Sequence, residues 1–250
     1  MEIATLLGLI IGIGGILLGN MIEGGHTAAL VQGAALMIVV SGTFGAVLVS
    51  SKAEDVKMAL RLAKRAFLKQ NRAKGPLLAE ILDCAKLARK ESVLSLEPRI
   101  PNLSNEFLRD VMRTVVDSVD QKVMTEVFHT RMTSEEERLL AGAKVWMDAG
   151  GFAPTIGIIG AVLGLIHVMS NLADTSKLGA GIAVAFVATI YGVGFANLIF
   201  IPLANKIKKI VNEDMKVREM TLQGGLGIQA GLTPSLLELK LKAFLEDEHE

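Results

Sequence analysis

Few side chains in this sequence are placed to do chemistry. The four histidines stand at positions 26, 129, 167 and 249, too scattered for a metal site, and Cys84 has no second cysteine to pair with. Neither a phosphate-cradling glycine loop nor a Ser/His/Asp order stands out. The sequence therefore argues against an enzyme and implies no cofactor. What remains lies in strongly apolar surroundings: Thr189, with Tyr191 close by, and His167 further upstream. A threonine there either bonds its own helix backbone or lends its hydroxyl to something that passes. Proton and cation paths through a membrane ordinarily need a carboxylate at depth, because a desolvated cation must be matched by charge or several oxygens. None lies near these residues. Either nothing ionic crosses here, or another chain supplies the carboxylate.

The elements that must hold these residues are unusually plain. Four stretches contain no Asp, Glu, Lys or Arg: Ile3–Ile22, Thr27–Ser51, Ala149–Ala173 and Leu178–Asn205. As helices rising about 1.5 Å per residue, each is long enough to cross a hydrocarbon core of roughly 30 Å. Mean hydropathy is +0.46, and the glycines fall mostly in or beside these runs, where membrane helices use them for close packing. The first run has no basic n-region and no small-residue cleavage site, so it reads as a retained span. Every Lys and Arg except Lys177 lies in Lys52–Lys144 or after Asn205. By the positive-inside rule both of those segments, and both termini, are cytoplasmic. A net charge of zero gives no bulk field for nucleic acid, and no aromatic-basic tract points that way either.

The expected architecture is all-α: a polytopic membrane protein with four transmembrane helices in two hairpins and a helical cytoplasmic domain between spans two and three. Residues 1–51 form the first hairpin, its helices antiparallel neighbours across the short outer turn Glu23–His26. Residues 52–148 form the cytoplasmic domain, 149–205 the second hairpin and 206–250 a cytoplasmic tail ending in a solvated EDEHE. Within 52–148, apolar spacing predicts helices over Ala53–Gln70, Leu77–Lys90 and Asn105–Arg131, a loop at Pro98–Asn105, and a helix capped by Ser134. The block reads as too small for a large independent core. Gly8/Gly12, Gly15/Gly19 and Gly160/Gly164 recur at four-residue spacing, as does the stripe Gly181, Ala185, Thr189, and all suit close helix packing. Pro154 reads as a first-turn proline, whereas Pro202 lies deeper and should bend its helix or free a carbonyl. Trp146 reads as an interface anchor and His167 as an interfacial or packed side chain.

Several stretches carry a family likeness: ATLLGLI at the start, ARKESVLSLE at 88–97, APTIGIIGAVLGL at 153–165, AVAFVATIYGVGFANLIFIPLANK at 183–206 and GLGIQAG at 225–231. With the two-plus-two spans and the intervening cytoplasmic block, the chain resembles the MotA/PomA family of flagellar motor stator proteins along essentially its whole length. The resemblance implies a subunit of an ion-conducting complex in the bacterial cytoplasmic (inner) membrane. Five copies would surround two copies of a MotB-type single-span partner that brings the ion-carrying aspartate. Spans three and four would face that partner, with spans one and two at the lipid periphery. Pro154 and Pro202 match family prolines that couple ion passage to conformational change. Thr189, directly before the Ile-Tyr-Gly segment containing Tyr191, matches the threonine beside the ion site. Arg89, Lys90 and Glu97 match charged positions that engage the rotor protein FliG. Sodium-driven members carry a threonine where this chain has Ala161, which implies H+ rather than Na+ as the transported ion. Pro98 stands where sodium-type relatives have a second acid, so the rotor contact is expected to be electrostatically thinner.

Two other readings compete. An ExbB/TolQ-type energiser of outer-membrane processes would be expected to show three spans and an outside N-terminus. A non-conducting membrane scaffold would carry no ion with any partner.

Overall fold

A run without charge has no way to satisfy its backbone in an apolar medium except by closing its own hydrogen bonds, and each of the four does so as helix. The computed structural model of the chain describes residues 3–68, 74–172 and 175–246. Its elements in order are α1 (Ile3–Ile22), a 3-10 turn (Thr27–Leu30), α2 (Gly33–Ser50), α3 (Ala53–Phe67), α4 (Lys74–Lys90), a 3-10 segment (Val93–Asn102), α5 (Glu106–Val116), α6 (Gln121–Ser170), α7 (Thr175–Phe195), a π turn (Ala196–Phe200), α8 (Ile201–Gln229) and α9 (Pro234–Glu246). No strand occurs among the described residues, and four helices are long and apolar enough to cross a membrane. Residues 173–174, where the third span was expected to end and its connector to begin, and residues 247–250 of the acidic terminus lie outside the described residues.

Two compact units interleave along the chain, one made of Met1–Lys69 with Arg138–Lys209, the other of Gln70–Glu137 with Ile210–Glu250. This differs from the division into a block at 52–148 and a tail at 206–250. In the first unit α3 packs on α6: a Cβ at Gly142 would lie 2.9 Å from the Met58 side chain, so the glycine admits close approach. Trp146 is held here as well, its Nε1 donating to the Ala59 carbonyl at 3.0 Å. Its ring packs on Phe200 at 5.9 Å between centroids, so it is a packed side chain rather than a lone interface anchor. The connection between the first two spans is longer than four residues. Gly24 turns the chain at φ 83°, the 3-10 turn follows, and α2 starts only at Gly33.

In the second unit α8 is central. Gly224 abuts Ile81 of α4 and Leu241 of α9, while Gly225 abuts Val111 of α5 and Met124 of α6. Met220, Leu222, Leu237 and Leu241, all beyond Asn205, are fully buried together with Ile81, Leu108 and Met112. The expected small core is thus enlarged by the residues read as a tail. The helix expected over Asn105–Arg131 breaks after Val116, where Ser118 takes φ 55°. The two helices that result each start on a short polar side chain. Asn105 Oδ1 accepts from Leu108 N at 3.1 Å, and Asp120 Oδ1 accepts from Lys122 N at 2.9 Å. With α6 starting at Gln121, Ser134 is internal to the helix rather than its cap. Pro98 and Pro101 fall inside the 3-10 segment, whose short hydrogen-bonded turns stand where a loop was expected.

Candidate functional site

Spans three and four are joined by an absence of side chains. A Cβ at Gly157 would lie 2.9 Å from the Ala188 carbonyl oxygen, and one at Gly164 would lie 2.8 Å from the Ala185 nitrogen. At Gly192 the distance to the Ala153 carbonyl oxygen would be 2.5 Å. These obstacles are backbone, which cannot swing aside, so the glycines set how closely α6 and α7 approach. The small-residue stripes therefore face one another. For Gly160/Gly164 and the stripe Gly181, Ala185, Thr189 this is the close helix packing that their spacing suggested. The outward faces are made of larger side chains: Ile158, Ile159, Val162 and Ile166 on α6, and Ile182, Phe186, Ile190 and Val193 on α7, all exposed.

Thr189 sits half-buried at the edge of the open α7 face, its Oγ1 donating to the Ala185 carbonyl at 3.3 Å. That bond is long for an O–H donor and leaves both hydroxyl lone pairs available. Ala161 is half-buried on α6, one residue after the glycine that packs on Ala188. Tyr191 is not brought to the same side. Two residues along a helix turn about 200°, and its hydroxyl is taken up by the first hairpin. It donates to the Leu30 carbonyl at 2.5 Å and accepts from Gln32 N at 3.3 Å, while its ring stacks on Phe195 at 5.8 Å.

The two prolines sit differently from expectation. Pro154 is deep inside α6, far from its first turn, since that helix begins at Gln121. Lacking an N–H, it leaves the Gly150 carbonyl without its helical donor. Its Cα would meet a Cβ at Gly192 at 3.2 Å, which ties this weak point in α6 to α7. Pro202 is the second residue of α8 and follows the π turn, where the Ile201 N–H reaches back to the Ala196 carbonyl. The extra residue in that turn moves backbone away from the pyrrolidine ring, so the proline is fitted without a broken helix. Around Phe200, the last residue of the π turn, gather Phe195, Phe44 and Trp146, with Phe44 edge-on to Phe200 at 6.2 Å, while Pro202 itself is exposed. Sequence reasoning missed both the turn and the cluster. The signal was present: Tyr191 and Phe195 are four apart, but Phe195 and Phe200 are five apart, a spacing that only a π turn puts on one face.

The charged candidates lie in the second unit. Arg89 and Lys90 end α4, Glu97 sits in the 3-10 segment, and all three are exposed. None forms an ion pair among the described residues, so their charge is free to meet a partner's. Among the described residues no group of three or more His, Cys, Asp or Glu is arranged to hold a metal ion.

Comparison with known proteins bears directly on this arrangement. Residues 6–92 match the family model for the motility protein A N-terminal region, and residues 99–220 match that of the MotA/TolQ/ExbB proton channel family. Motility protein A of Bacillus subtilis (strain 168) is 32% identical over 98% of this chain and 91% of its own length. This chain belongs to the motility protein A family. Chemotaxis protein PomA of Vibrio alginolyticus is 31% identical over 99% of this chain and 96% of PomA. Among solved structures, C. jejuni MotAB matches with a TM-score of 0.92 at 29% identity, covering 98% of this chain and 96% of that one. The flagellar MotAB stator complex from Bacillus subtilis matches with a TM-score of 0.88 at 31% identity, over 97% and 96%. Membership of the motility protein A family accounts for the all-helical membrane fold. The match to its N-terminal model separates this chain from the three-span energisers within the wider proton channel family.

Proposed function

We propose that this chain is a stator subunit of the bacterial flagellar motor, working in the inner membrane with both termini in the cytoplasm. Several copies, five by family analogy, enclose two single-span helices of a MotB-type partner and conduct protons past it. One observation carries the reading. Gly157, Gly160, Gly164, Gly181 and Gly192 are consumed between α6 and α7, which leaves an apolar outward face bordered by Thr189 and holding no carboxylate of its own.

Such a face discriminates between two charge states of a partner's aspartate. A protonated carboxyl tolerates contact with Phe186, Ile190 and Val193, whereas an ionised one is costly to desolvate there. Proton binding lets the partner helix rest against the wall, and release towards the cytoplasm expels it, so that the ring steps. The weak point at Pro154 and the turn before Pro202 let α6 and α7 adjust as this happens. Arg89, Lys90 and Glu97 pass the step to FliG as torque. The outer faces of α1 meet lipid. Ala161 supports the choice of H+ over Na+, because a methyl offers no oxygen to replace water around a stripped sodium ion.

Swimming and proton uptake by membrane vesicles carrying this chain with a MotB-type partner, both in Na+-free medium, test the reading. Flux and swimming without sodium are expected. Flux that appears only with sodium would reverse the ion assignment, and no flux with either ion would leave a scaffold.

A further inference from the structure

Four residues of α2 are buried, and they stand at every fourth position: Ala35, Val39, Thr43 and Val47. Three are apolar and the other carries a hydroxyl. Thr43 is 1% exposed, and its Oγ1 has no hydrogen-bond partner among the described residues. A helical serine or threonine ordinarily turns its hydroxyl back to the carbonyl four residues earlier. Ser41 of the same helix does so, donating to the Met37 carbonyl at 2.6 Å, as does Thr221, donating to the Val217 carbonyl at 2.8 Å. An unsatisfied hydroxyl in an apolar interior costs more than a valine of the same shape. Thr43 therefore carries a group that this arrangement of the helices does not use.

Its neighbours place that hydroxyl. One turn before it, Val39 is buried with Val187 and Ala188 of α7. One turn after it, Val47 is buried with Ala196 and Phe200, the first and last residues of the π turn. The two helices thus run side by side in the same direction, and Thr43 stands level with the stretch from Ala188 to Ala196. That stretch holds Gly192, where a Cβ would lie 3.2 Å from the Pro154 Cα, and it ends on the π turn. A π turn is a single-turn defect inside an α-helix. Moving it by one residue towards Ala188 changes which backbone carbonyls of the stretch keep a helical donor.

We propose that Thr43 is a positioning residue for the proton-driven step. Its hydroxyl, unbonded in this arrangement, donates to a backbone carbonyl between Ala188 and Ala196 when the π turn shifts towards Ala188. The bond exists in one arrangement and not in the other, so it biases the balance between them. The unsatisfied oxygen burdens the arrangement seen here, and the bond favours the shifted one. This rests on the stator reading above, and it gives span two, expected only at the lipid periphery, a part in the cycle.

Thr43→Val and Thr43→Ser, each in the full chain co-expressed with a MotB-type partner, test this through two readouts: the thermal unfolding midpoint in detergent and proton uptake by membrane vesicles. Valine keeps the shape and removes the unsatisfied oxygen, so Thr43→Val is expected to unfold at a higher temperature than the wild-type chain. It also denies the shifted arrangement its bond, so proton uptake is expected to fall about tenfold. Thr43→Ser keeps the hydroxyl and should recover most of the uptake, even though loss of the methyl lowers its midpoint. A side chain that only filled space would move both readouts in the same direction. Wild-type uptake in Thr43→Val, or uptake in Thr43→Ser as low as in the valine variant, would overturn the proposal. So would a lowered midpoint in Thr43→Val, which would mean that the hydroxyl is already satisfied in this arrangement. If vesicles with the wild-type chain take up no protons, the stator reading itself fails and this proposal falls with it.

Discussion

The Tyr191 hydroxyl donates to the Leu30 carbonyl oxygen at 2.5 Å, and so span four is fastened to the connector that opens span two. The Tyr191 hydroxyl also accepts from Gln32 N at 3.3 Å, so one side chain satisfies two backbone groups ahead of α2. Tyr191→Phe keeps the stack on Phe195 and loses both bonds. It should lower stability by about 1–2 kcal/mol, read as an earlier thermal unfolding midpoint in detergent. Coincident midpoints would show that the tie contributes nothing.

Gly192→Ala places a methyl 2.5 Å from the Ala153 carbonyl oxygen, and neither helix can yield locally. Accumulation of the chain in membranes should fall sharply. Gly14→Ala, which meets nothing within 4 Å, should accumulate normally. Equal levels of the two variants would contradict the close approach of α6 and α7.

Thr189→Val keeps the shape of the side chain but removes its hydroxyl. Proton flux and swimming should drop while assembly with the partner persists, and Thr189→Ser should recover most of the loss. Normal swimming of the valine variant would remove Thr189 from the ion path.

Arg89→Glu reverses an exposed, unpaired charge at the end of α4. Torque should fall while proton leak through the complex is unchanged. Loss of leak as well would show that rotor contact and ion path are not separable at this residue.

Cys84 offers a reporter of the second unit's integrity. Burial, reinforced by the Glu80 and Asp83 carboxylates and opposed by Arg99, pushes its thiol from 9.0 up to about 11. A folded-state value above the unfolded one means the protonated thiol favours the fold. That contribution is complete below pH 9 and is lost as pH rises towards 11. Stability should decline across this interval less steeply in Cys84→Ser, and thiol reagents at neutral pH should label Cys84 only after unfolding.

The membrane architecture was legible because absence of charge is a long-range signal that no tertiary contact can mask. The four spans, the helical character of the rest and the polar scarcity around Thr189 were all readable from it. Less legible was anything set by a partner distant in sequence. Gly160 and Gly164 announce close packing but not against whom, and their partners Ala188 and Ala185 lie in another helix. The terminal segment reads as a tail because its burial depends on Ile81 and Val111, more than a hundred residues earlier. Ser134 looks like a cap by type, yet Asp120 wins because its carboxylate sits where the chain turns at Ser118.

The π turn at Ala196–Phe200 has a consequence for the phase of the chain. Each residue of a helix advances about 100°, so one extra residue resets which way every later side chain points. The stripe that aims Ile182, Phe186 and Val193 outward on α7 cannot simply be extended into α8, where Leu203, Ala204 and Ile207 are buried. That single wedge lets one continuous rod obey two different facing rules. Deleting a residue between 196 and 200 would shorten the chain by one unit yet misdirect every side chain that follows.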